Sequence, residues 1–455
     1  MKREITSLQN QTLFQVSWPI FFEISMHMGT GIIATFMLAH YSDFAASAVG
    51  VANQVLNIFV LALEVTGIGA SILISQAIGA NNKQRRVNLI KSSVAINFWI
   101  GALLACFLFI FGKYLLLIFN IEAQTFEYAQ NFLQIVGISL FFESLALVLS
   151  AILKSHGYLK EALFATILLN IICIIGNVIS IYGLLNLPKF GVEGVAITIV
   201  IARFSLVLLL LFFVKTKIRV KLELQMLVKI KKDNVKDLLS IGIPSAGEAL
   251  SYHLSQIIIT AFITSMGAAT LAARVYLVNI SMLCYLFAVA VAHGSQLLVA
   301  RYAGAGRFTE LYQRGMKSQK IAILSSFCVS LIIAINGKNF LSLFTQDSEI
   351  LAVSLPVLWL IAFIEPGKAA NIVLIGCLKS ASDVKFPVVI GLISMWGVAT
   401  LFSYILGIHF SLGLLGVWIA QGMDEWFRCL FANWRWHKRP WEKHFSKMSM
   451  GFENK

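Results

Sequence analysis

The stretch Ser17-Trp18-Pro19-Ile20-Phe21-Phe22-Glu23 recurs in weaker form 225 residues later, as Gly242-Ile243-Pro244-Ser245-Ala246-Gly247-Glu248. Each copy places a carboxylate four residues after a proline, near the start of a long apolar run that ends in a matching threonine, Thr35 or Thr260. A charged side chain at the middle of a bilayer costs roughly 2.5 to 3.5 kcal/mol, and ionisable residues there are functional candidates. The pair therefore indicates an internal repeat and two candidate functional residues.

The composition is that of a membrane protein with many spans. The 455 residues are 58% hydrophobic and 13% charged, with a mean hydropathy of +0.81, whereas soluble domains are about 25% charged. The apolar runs are continuous and show no strand-like alternation, which favours helices over a closed barrel. We expect an all-α integral membrane fold.

Apolar runs long enough to cross a bilayer recur along the chain, and a span needs about 20 residues. They predict twelve transmembrane helices, at residues 13–39, 46–78, 89–112, 128–152, 161–184, 193–214, 238–264, 270–303, 318–336, 350–377, 386–408 and 413–434.

The net charge of +14 comes from basic residues that cluster in alternate loops instead of forming one face or stripe. This pattern indicates topology and not a nucleic-acid surface, so we expect no nucleic-acid partner. By the positive-inside rule both termini are cytoplasmic, in a multi-pass protein of the plasma membrane. The six cysteines are scattered singly in apolar surroundings and suggest neither a disulfide framework nor a metal site.

The repeat continues at one offset well beyond the opening pair, and its strongest block matches residues 153–155 with 378–380, both Leu-Lys-Ser. After the fifth span of each half the register slips by three, so that Gly194 meets Gly416. We predict an N-lobe at 1–214, a cytoplasmic linker at 215–237, a C-lobe at 238–436 and a cytoplasmic tail at 437–455. Two six-helix lobes in a parallel repeat are typical of transporters that work by alternating access around a cavity between the lobes.

The ends of spans 2 and 8, Gly69 to Asn82 and Gly294 to Arg307, resemble the glycine-rich repeat of the multidrug and toxic compound extrusion (MATE) transporters, bacterial branch. The segment from Gly376 to Pro387 resembles that family's Leu-Arg-Gly-x-Gly-Asp-x-x-x-Pro signature, and the closing Asp424-Glu425-Trp426 adds to the likeness. The resemblance covers essentially the whole chain. It implies twelve helices in two lobes and export of organic cations and drugs in exchange for protons or sodium.

The sequence also departs from the family pattern. The first-helix aspartate of many members is Ala34 here, and a fifth-helix acid falls at Asn177. The tenth-helix acid falls near Lys368, with Glu365 one turn earlier. The seventh-helix glutamate falls near Tyr252, with Glu248 one turn earlier. The coupling chemistry therefore has to be argued from this chain's own residues.

Seven residues are candidates for cation coupling or substrate binding. A carboxyl group in a low-dielectric site holds its proton more tightly and can exchange it for a cationic substrate, which makes Glu248 the first choice. The alternative is a structural bond to a neighbouring helix near the interface. Glu143 and Lys368 occupy equivalent positions in the two halves and are predicted to pair across the cavity, as a lock or as a binding site. The full set is Glu248, Glu23, Glu64, Glu143, Lys368, His253 and Asn177.

Other classes of function are disfavoured. The sequence has no Gly-x-x-x-x-Gly-Lys-Ser/Thr motif for ATP and no His-Glu-x-x-His, so an enzyme or an ATP-driven pump is not expected, and no cofactor is implied. The alternative within the same superfamily is a flippase for lipid-linked glycans or a polysaccharide exporter. Acids predominate among the charges within the spans, which favours small cationic or amphipathic cargo. We expect a monomer in contact with membrane lipid, coupled to either protons or sodium.

Overall fold

The computed structural model describes residues 12–119, 121–183 and 188–442, and within these ranges the chain forms twelve long helices. They are α1 Leu13–Tyr41, α2 Asp43–Gly79, α3 Lys83–Leu116, α4 Ala123–Ser155, α5 Leu159–Tyr182, α6 Gly191–Phe213, α7 Lys232–Thr264, α8 Ala268–Gly304, α9 Phe308–Ile335, α10 Ser348–Ser380, α11 Lys385–His409 and α12 Gly413–His437. The predicted twelve-helix, all-α fold is confirmed.

Ten of these helices are long and apolar enough to cross a membrane by length and composition. The other two, α7 and α12, carry charge that lowers their hydropathy. The first turns of α7 are rich in lysine and aspartate, and the middle of α12 holds Asp424, Glu425 and Arg428. The charges of α12 fall inside a predicted span, so they need partners or a function.

Local sequence signals explain where several helices begin and end. Asn82 accepts a hydrogen bond from the backbone N–H of Arg85 at 2.9 Å, and Asp347 accepts one from Glu349 at 2.9 Å, so both cap free N–H groups at a helix start. Gly183 follows α5 with a φ of +71°, a left-handed conformation that glycine adopts without strain. Helix α9 begins at Phe308, ten residues before its predicted start at 318, because its polar first turns extend it beyond the apolar run. The other predicted helix ends fall within six residues of the observed ones.

The helices group into two compact units, each with its own apolar core. One unit is Phe22–Ala246, and the other joins the described residues up to Phe21 with those from Gly247 onward. The two boundaries lie inside α1 and α7, again 225 residues apart. The predicted division placed residues 238–246 in the C-lobe, whereas their contacts are with the first half of the chain. Predictions for residues 1–11 and 443–455 lie outside the described residues.

Close helix crossings hold the early turns of α1 and α7 in place. In the first unit, a Cβ added to Gly242 of α7 would lie 2.0 Å from the backbone oxygen of Val65 in α2. In the second unit, a Cβ added to Gly294 of α8 would lie 2.8 Å from the hydroxyl oxygen of Ser17 in α1. Ser17 and Gly242 are equivalent positions of the repeat, so the same pair of helices crosses in each half, α7 with α2 and α1 with α8, although the residues touched on α2 and α8 are one turn apart in the repeat.

We predict that Gly242→Ala lowers the midpoint of thermal unfolding in detergent, because the added methyl group collides with the backbone of α2. Overpacking of this kind costs about 1 to 3 kcal/mol. Gly247→Ala is the matched control on the same helix, because a Cβ there meets nothing within 4 Å. The control should leave the midpoint unchanged or raise it, since alanine favours a helix by about 1 kcal/mol over glycine. Equal midpoints for the two variants would contradict this account of the crossing.

Candidate functional site

Two ion pairs occupy equivalent places in the two halves of the chain, and of their four residues only Glu248 is fully buried. The Nζ atom of Lys154 lies 2.8 Å from a carboxylate oxygen of Glu23, which joins α4 to α1. The Nζ atom of Lys379 lies 2.7 Å from a carboxylate oxygen of Glu248, which joins α10 to α7. Each pair lies within a single unit. Both acids follow directly on the point where their helix passes from one unit to the other.

The sequence contained the signal for these pairs, because both lysines and both glutamates recur at the offset of 225. The repeat relates the two acids to each other and the two lysines to each other, but it does not indicate that each acid contacts a lysine. The positive charge of the lysine balances the negative charge of the carboxylate, so the acid needs no further cation. This arrangement favours the structural alternative for Glu23 and Glu248, and their role in coupling stays a prediction.

A second set of charges lies inside the first unit, where α2, α4 and α6 meet. Glu143 of α4 accepts from the guanidinium of Arg203 in α6 at 2.9 Å, and Arg203 also donates to the hydroxyl of Ser139 at 2.6 Å. Glu64 of α2 is half-buried and lies within electrostatic range of Glu143. In the described part of the chain Glu64 has no cationic partner. We call Glu64, Glu143 and Arg203 the N-cluster, which holds one carboxylate more than cations.

Polar amides accompany the N-cluster in the same unit. Asn177 and Asn170 of α5 are both buried, and the side-chain oxygen of Asn177 accepts no hydrogen bond among the described residues. Asn97 of α3 accepts a hydrogen bond from Thr66 at 2.9 Å. An amide oxygen without a donor is an available ligand for a cation. Asn177 therefore remains a candidate ligand.

The larger polar set lies in the other unit and begins on α10. Glu365 is only 3% exposed, and its carboxylate lies 3.8 Å from the Nζ atom of Lys368, one turn further on. The same ammonium sits 3.6 Å from the centre of the Tyr285 ring of α8, a cation–π contact that strengthens when water is excluded. Glu365 and Lys368, the two charged residues of α10 in this region, therefore interact with each other.

The middle of α12 completes this set. Arg428 bonds to Asp424 and lies 3.2 Å from a carboxylate oxygen of Glu425. Glu425 also accepts from the amide of Asn371 in α10 at 2.8 Å, and Asp424 accepts from Ser394 at 2.5 Å. We call Glu365, Lys368, Asp424, Glu425 and Arg428 the C-cluster. It holds three carboxylates and two cations, so it too has one acid in excess.

The two clusters are related by the repeat with the charges exchanged. Glu143 matches Lys368 at the offset of 225, and after the three-residue slip Arg203 matches Glu425. An acid on the fourth helix and a base on the sixth therefore become a base on the tenth and an acid on the twelfth. Glu143 and Lys368 were expected to pair with each other, but each finds its charged partner inside its own unit.

The remaining predicted residue, His253, is exposed on α7, and its ring contacts the neighbouring Tyr252 with a centroid separation of 5.9 Å. Arg274 of α8 lies outside the C-cluster and donates to the side-chain oxygen of Gln256 at 3.0 Å. The seven predicted candidates do not include Glu365, Asp424, Glu425 or Arg428. The spacing of four between Asp424 and Arg428 within an apolar helix is a readable signal for a pair. No helix periodicity predicts that Lys368 faces Tyr285, since that contact depends on how α8 and α10 pack.

Comparison with known proteins agrees with this architecture. The MatE family model matches residues 19–179 and 244–405, two segments that begin 225 residues apart. The match covers most of the chain, and its division in two reproduces the internal repeat. The chain belongs to the MatE family of transporters, as its glycine-rich repeats suggested, and it is a transporter and not an enzyme.

Relatives over nearly the full length are bacterial. The chain is 39% identical to the "Uncharacterized transporter YisQ" of Bacillus subtilis, with 94% of each chain covered. It is 25% identical to the "Probable multidrug resistance protein NorM" of Thermotoga maritima, covering 96% of this chain and 95% of that one. The protein is thus a multi-pass transporter of the plasma membrane, related to multidrug resistance proteins.

Solved structures show the same fold. An outward-facing multidrug resistance MATE transporter of the MOP superfamily superposes with a TM-score of 0.89 at 18% identity, and 98% of each chain is covered. A MOP superfamily transporter from Pyrococcus furiosus, described as having a binding pocket of reverse polarity, superposes with a TM-score of 0.88 at 18% identity, over 96% of this chain and 98% of that one.

The pair of Lys379 with the buried Glu248 predicts a measurable coupling between these two residues. Lys379→Met should lower the thermal unfolding midpoint strongly, because it leaves the Glu248 carboxylate buried without a partner, and breaking such a pair costs about 3 to 5 kcal/mol. Adding Glu248→Gln to that variant should recover part of the loss, since the orphaned charge is removed. Strictly additive effects of the two substitutions would show that the residues do not interact.

Proposed function

We propose that this protein is a secondary antiporter that exports organic cations or drugs in exchange for protons or sodium, by alternating access. It acts as a monomer on small cationic or amphipathic molecules. Membership of the MatE family supports transport in general. The charges inside the two units support cation exchange and a cationic cargo.

The observation that carries the proposal is the excess of carboxylates in both clusters. In the N-cluster Glu64 is left over once Glu143 is paired with Arg203. In the C-cluster Arg428 is the ion-pair partner of both Asp424 and Glu425. The carboxylate of Glu365 has only the Nζ atom of Lys368, at the long distance of 3.8 Å. An unpaired carboxylate in a low-dielectric environment is costly and is relieved by a bound cation. A proton, a sodium ion or a cationic drug each supplies that charge.

Competition for one negative charge is sufficient for exchange. If a proton or sodium ion and the cargo cannot neutralise the same carboxylate at once, binding of either favours release of the other. The gradient of the small ion then drives the cargo outward. Glu64 and Glu365 are the residues to which we assign this exchange, because each is the acid with the weakest cationic partner in its cluster. The amide oxygen of Asn177 adds a neutral ligand on the N side.

The charge balance also distinguishes the alternative. An exporter of lipid-linked glycans or polysaccharides handles anionic pyrophosphate or sugar acids, and its interior would need unpaired arginine or lysine. Here Arg203, Lys368 and Arg428 each face a carboxylate. The cations available inside the clusters are thus already engaged, which favours cationic cargo over an anionic lipid carrier.

We predict that proteoliposomes containing the purified protein move a cationic dye such as ethidium when a proton or sodium gradient is imposed. Replacing sodium with choline at constant pH, and then collapsing the pH gradient at constant sodium, separates the two ions. Transport should stop when the gradient of the coupling ion is removed and should continue when only the other gradient is removed. Dye movement that continues unchanged after both gradients are collapsed would contradict antiport.

We also predict that Glu365→Gln and Glu64→Gln each reduce gradient-driven dye transport by at least about tenfold, because glutamine keeps the shape but removes the exchangeable charge. Glu310→Gln is the control, since this acid is exposed at the start of α9 and pairs with the neighbouring Arg307. The control should transport normally. If both cluster variants retain full coupling at normal expression, the assignment of the exchange to these acids is wrong.

A further inference from the structure

A small basic cleft lies on the first unit, away from both clusters, where the chain between α6 and α7 packs against the start of α3. The cleft has a volume of about 190 Å³. Drug-sized ligands need cavities of roughly 300 to 1,000 Å³. The cleft therefore suits a small group, such as a single phosphate with its ester substituents.

The lining of the cleft is rich in groups that donate hydrogen bonds to anions. Lys91, Lys229 and Lys231 face it together with one acid, Glu223. None of the three lysines lies within ion-pair distance of a carboxylate in the part of the chain that the structure describes. The amide of Asn234, which also lines the cleft, is fixed by donating to the hydroxyl of Ser92 at 3.1 Å. Charged donors of this kind form strong bonds to phosphate oxygens.

Large apolar side chains lie directly beside these lysines. A short 3₁₀ turn at Leu224–Leu227 carries Leu224, and Val228 follows it, and each of these two side chains is 83% exposed. The indole N–H of Trp99 in α3 donates to the backbone oxygen of Leu227 at 2.9 Å, which fixes the turn against the helix. Tryptophan is enriched at the membrane–water boundary.

The distance along α3 separates Lys91 from the apolar turn. Trp99 lies eight residues after Lys91, which is about 12 Å along a helix. If Trp99 marks the boundary, the apolar turn that it holds lies at the edge of the hydrocarbon layer and Lys91 lies at the level of the headgroups. Lys229 and Lys231 follow the turn directly, and their long side chains extend towards the same headgroups. An exposed apolar turn in this position is explained if acyl chains cover it.

We propose that this cleft binds the phosphate of an anionic membrane lipid, with the lysines holding the headgroup and the Leu224–Val228 turn contacting its acyl chains. The predicted orientation puts the cleft at the cytoplasmic leaflet, where anionic lipids attract basic segments next to membrane spans. The proposal is independent of the transported cargo, since no residue of either cluster lines the cleft.

Native mass spectrometry of the purified protein in mild detergent tests the proposal, with phosphatidylglycerol and phosphatidylcholine titrated separately. The wild type should bind phosphatidylglycerol in preference. The variant carrying Lys91→Gln, Lys229→Gln and Lys231→Gln should lose at least about tenfold in apparent affinity, because one lysine beside an anionic lipid surface contributes about a factor of five. Equal binding of the two lipids by the wild type would overturn the proposal.

A second triple variant controls for the total charge. Lys317→Gln, Lys320→Gln and Lys385→Gln remove the same number of exposed lysines from the other half of the chain and should keep the wild-type affinity. An equal loss in both triple variants would show general electrostatic attraction and would contradict a cleft-specific site. Unchanged thermal unfolding in phosphatidylcholine verifies that all the variants are folded.

The last arm separates a lipid from a soluble phosphate ester. Glycerol phosphate added in excess should not displace phosphatidylglycerol, because it lacks acyl chains. The variant Leu224→Ser with Val228→Ser should weaken phosphatidylglycerol binding while all three lysines are kept. Full displacement by glycerol phosphate, or full binding by the double serine variant, would assign the cleft to a soluble anion and overturn the lipid proposal.

Discussion

The structure depends on one constraint: an ionised side chain inside a mostly apolar helix bundle needs a partner or a function. The described spans satisfy it first through the ion pairs Glu23–Lys154 and Glu248–Lys379, which recur in both halves. These pairs join the first helix of each half to the fourth. They lie just past the points where α1 and α7 pass from one unit to the other, so they hold each helix to the unit that it enters.

In each of the two clusters one carboxylate lacks a cation of its own, so the constraint is only partly satisfied there. The clusters are therefore the candidates for function. The repeat supplies an acid and a base at matched positions in each half, Glu143 with Arg203 and then Lys368 with Glu425, so the sign of each charge is exchanged while the balance is kept. The first half then adds Glu64, and the second half adds Glu365, Asp424 and Arg428, so one carboxylate remains in excess in each half. A neutral pair suits a structural joint, whereas an excess carboxylate suits reversible binding of a cation.

Much of the fold was predictable from the sequence. Continuous apolar runs locate helices well, and a repeat with one offset fixes which helices are equivalent, so twelve helices followed. Helix ends were less predictable where polar turns extend a helix beyond its apolar run, as at the start of α9. The partners of the charged residues were harder to predict. Glu248 and Lys379 are distant in sequence, and only the packing of α7 against α10 brings them together. The boundary between the units was not readable from loop composition either, because it crosses the middle of two helices at Phe21 and Ala246.

Exchange of a small cation for cargo at the excess carboxylates is tested most directly by measuring it at equilibrium. Purified protein in weakly buffered detergent is mixed with a cationic dye, and released protons are followed with a pH indicator while displaced radioactive sodium is counted in parallel. We expect dye binding to release one of the two ions, and the Glu64→Gln and Glu365→Gln double variant to release neither. Dye binding of normal affinity that releases no cation from the wild type would contradict the account.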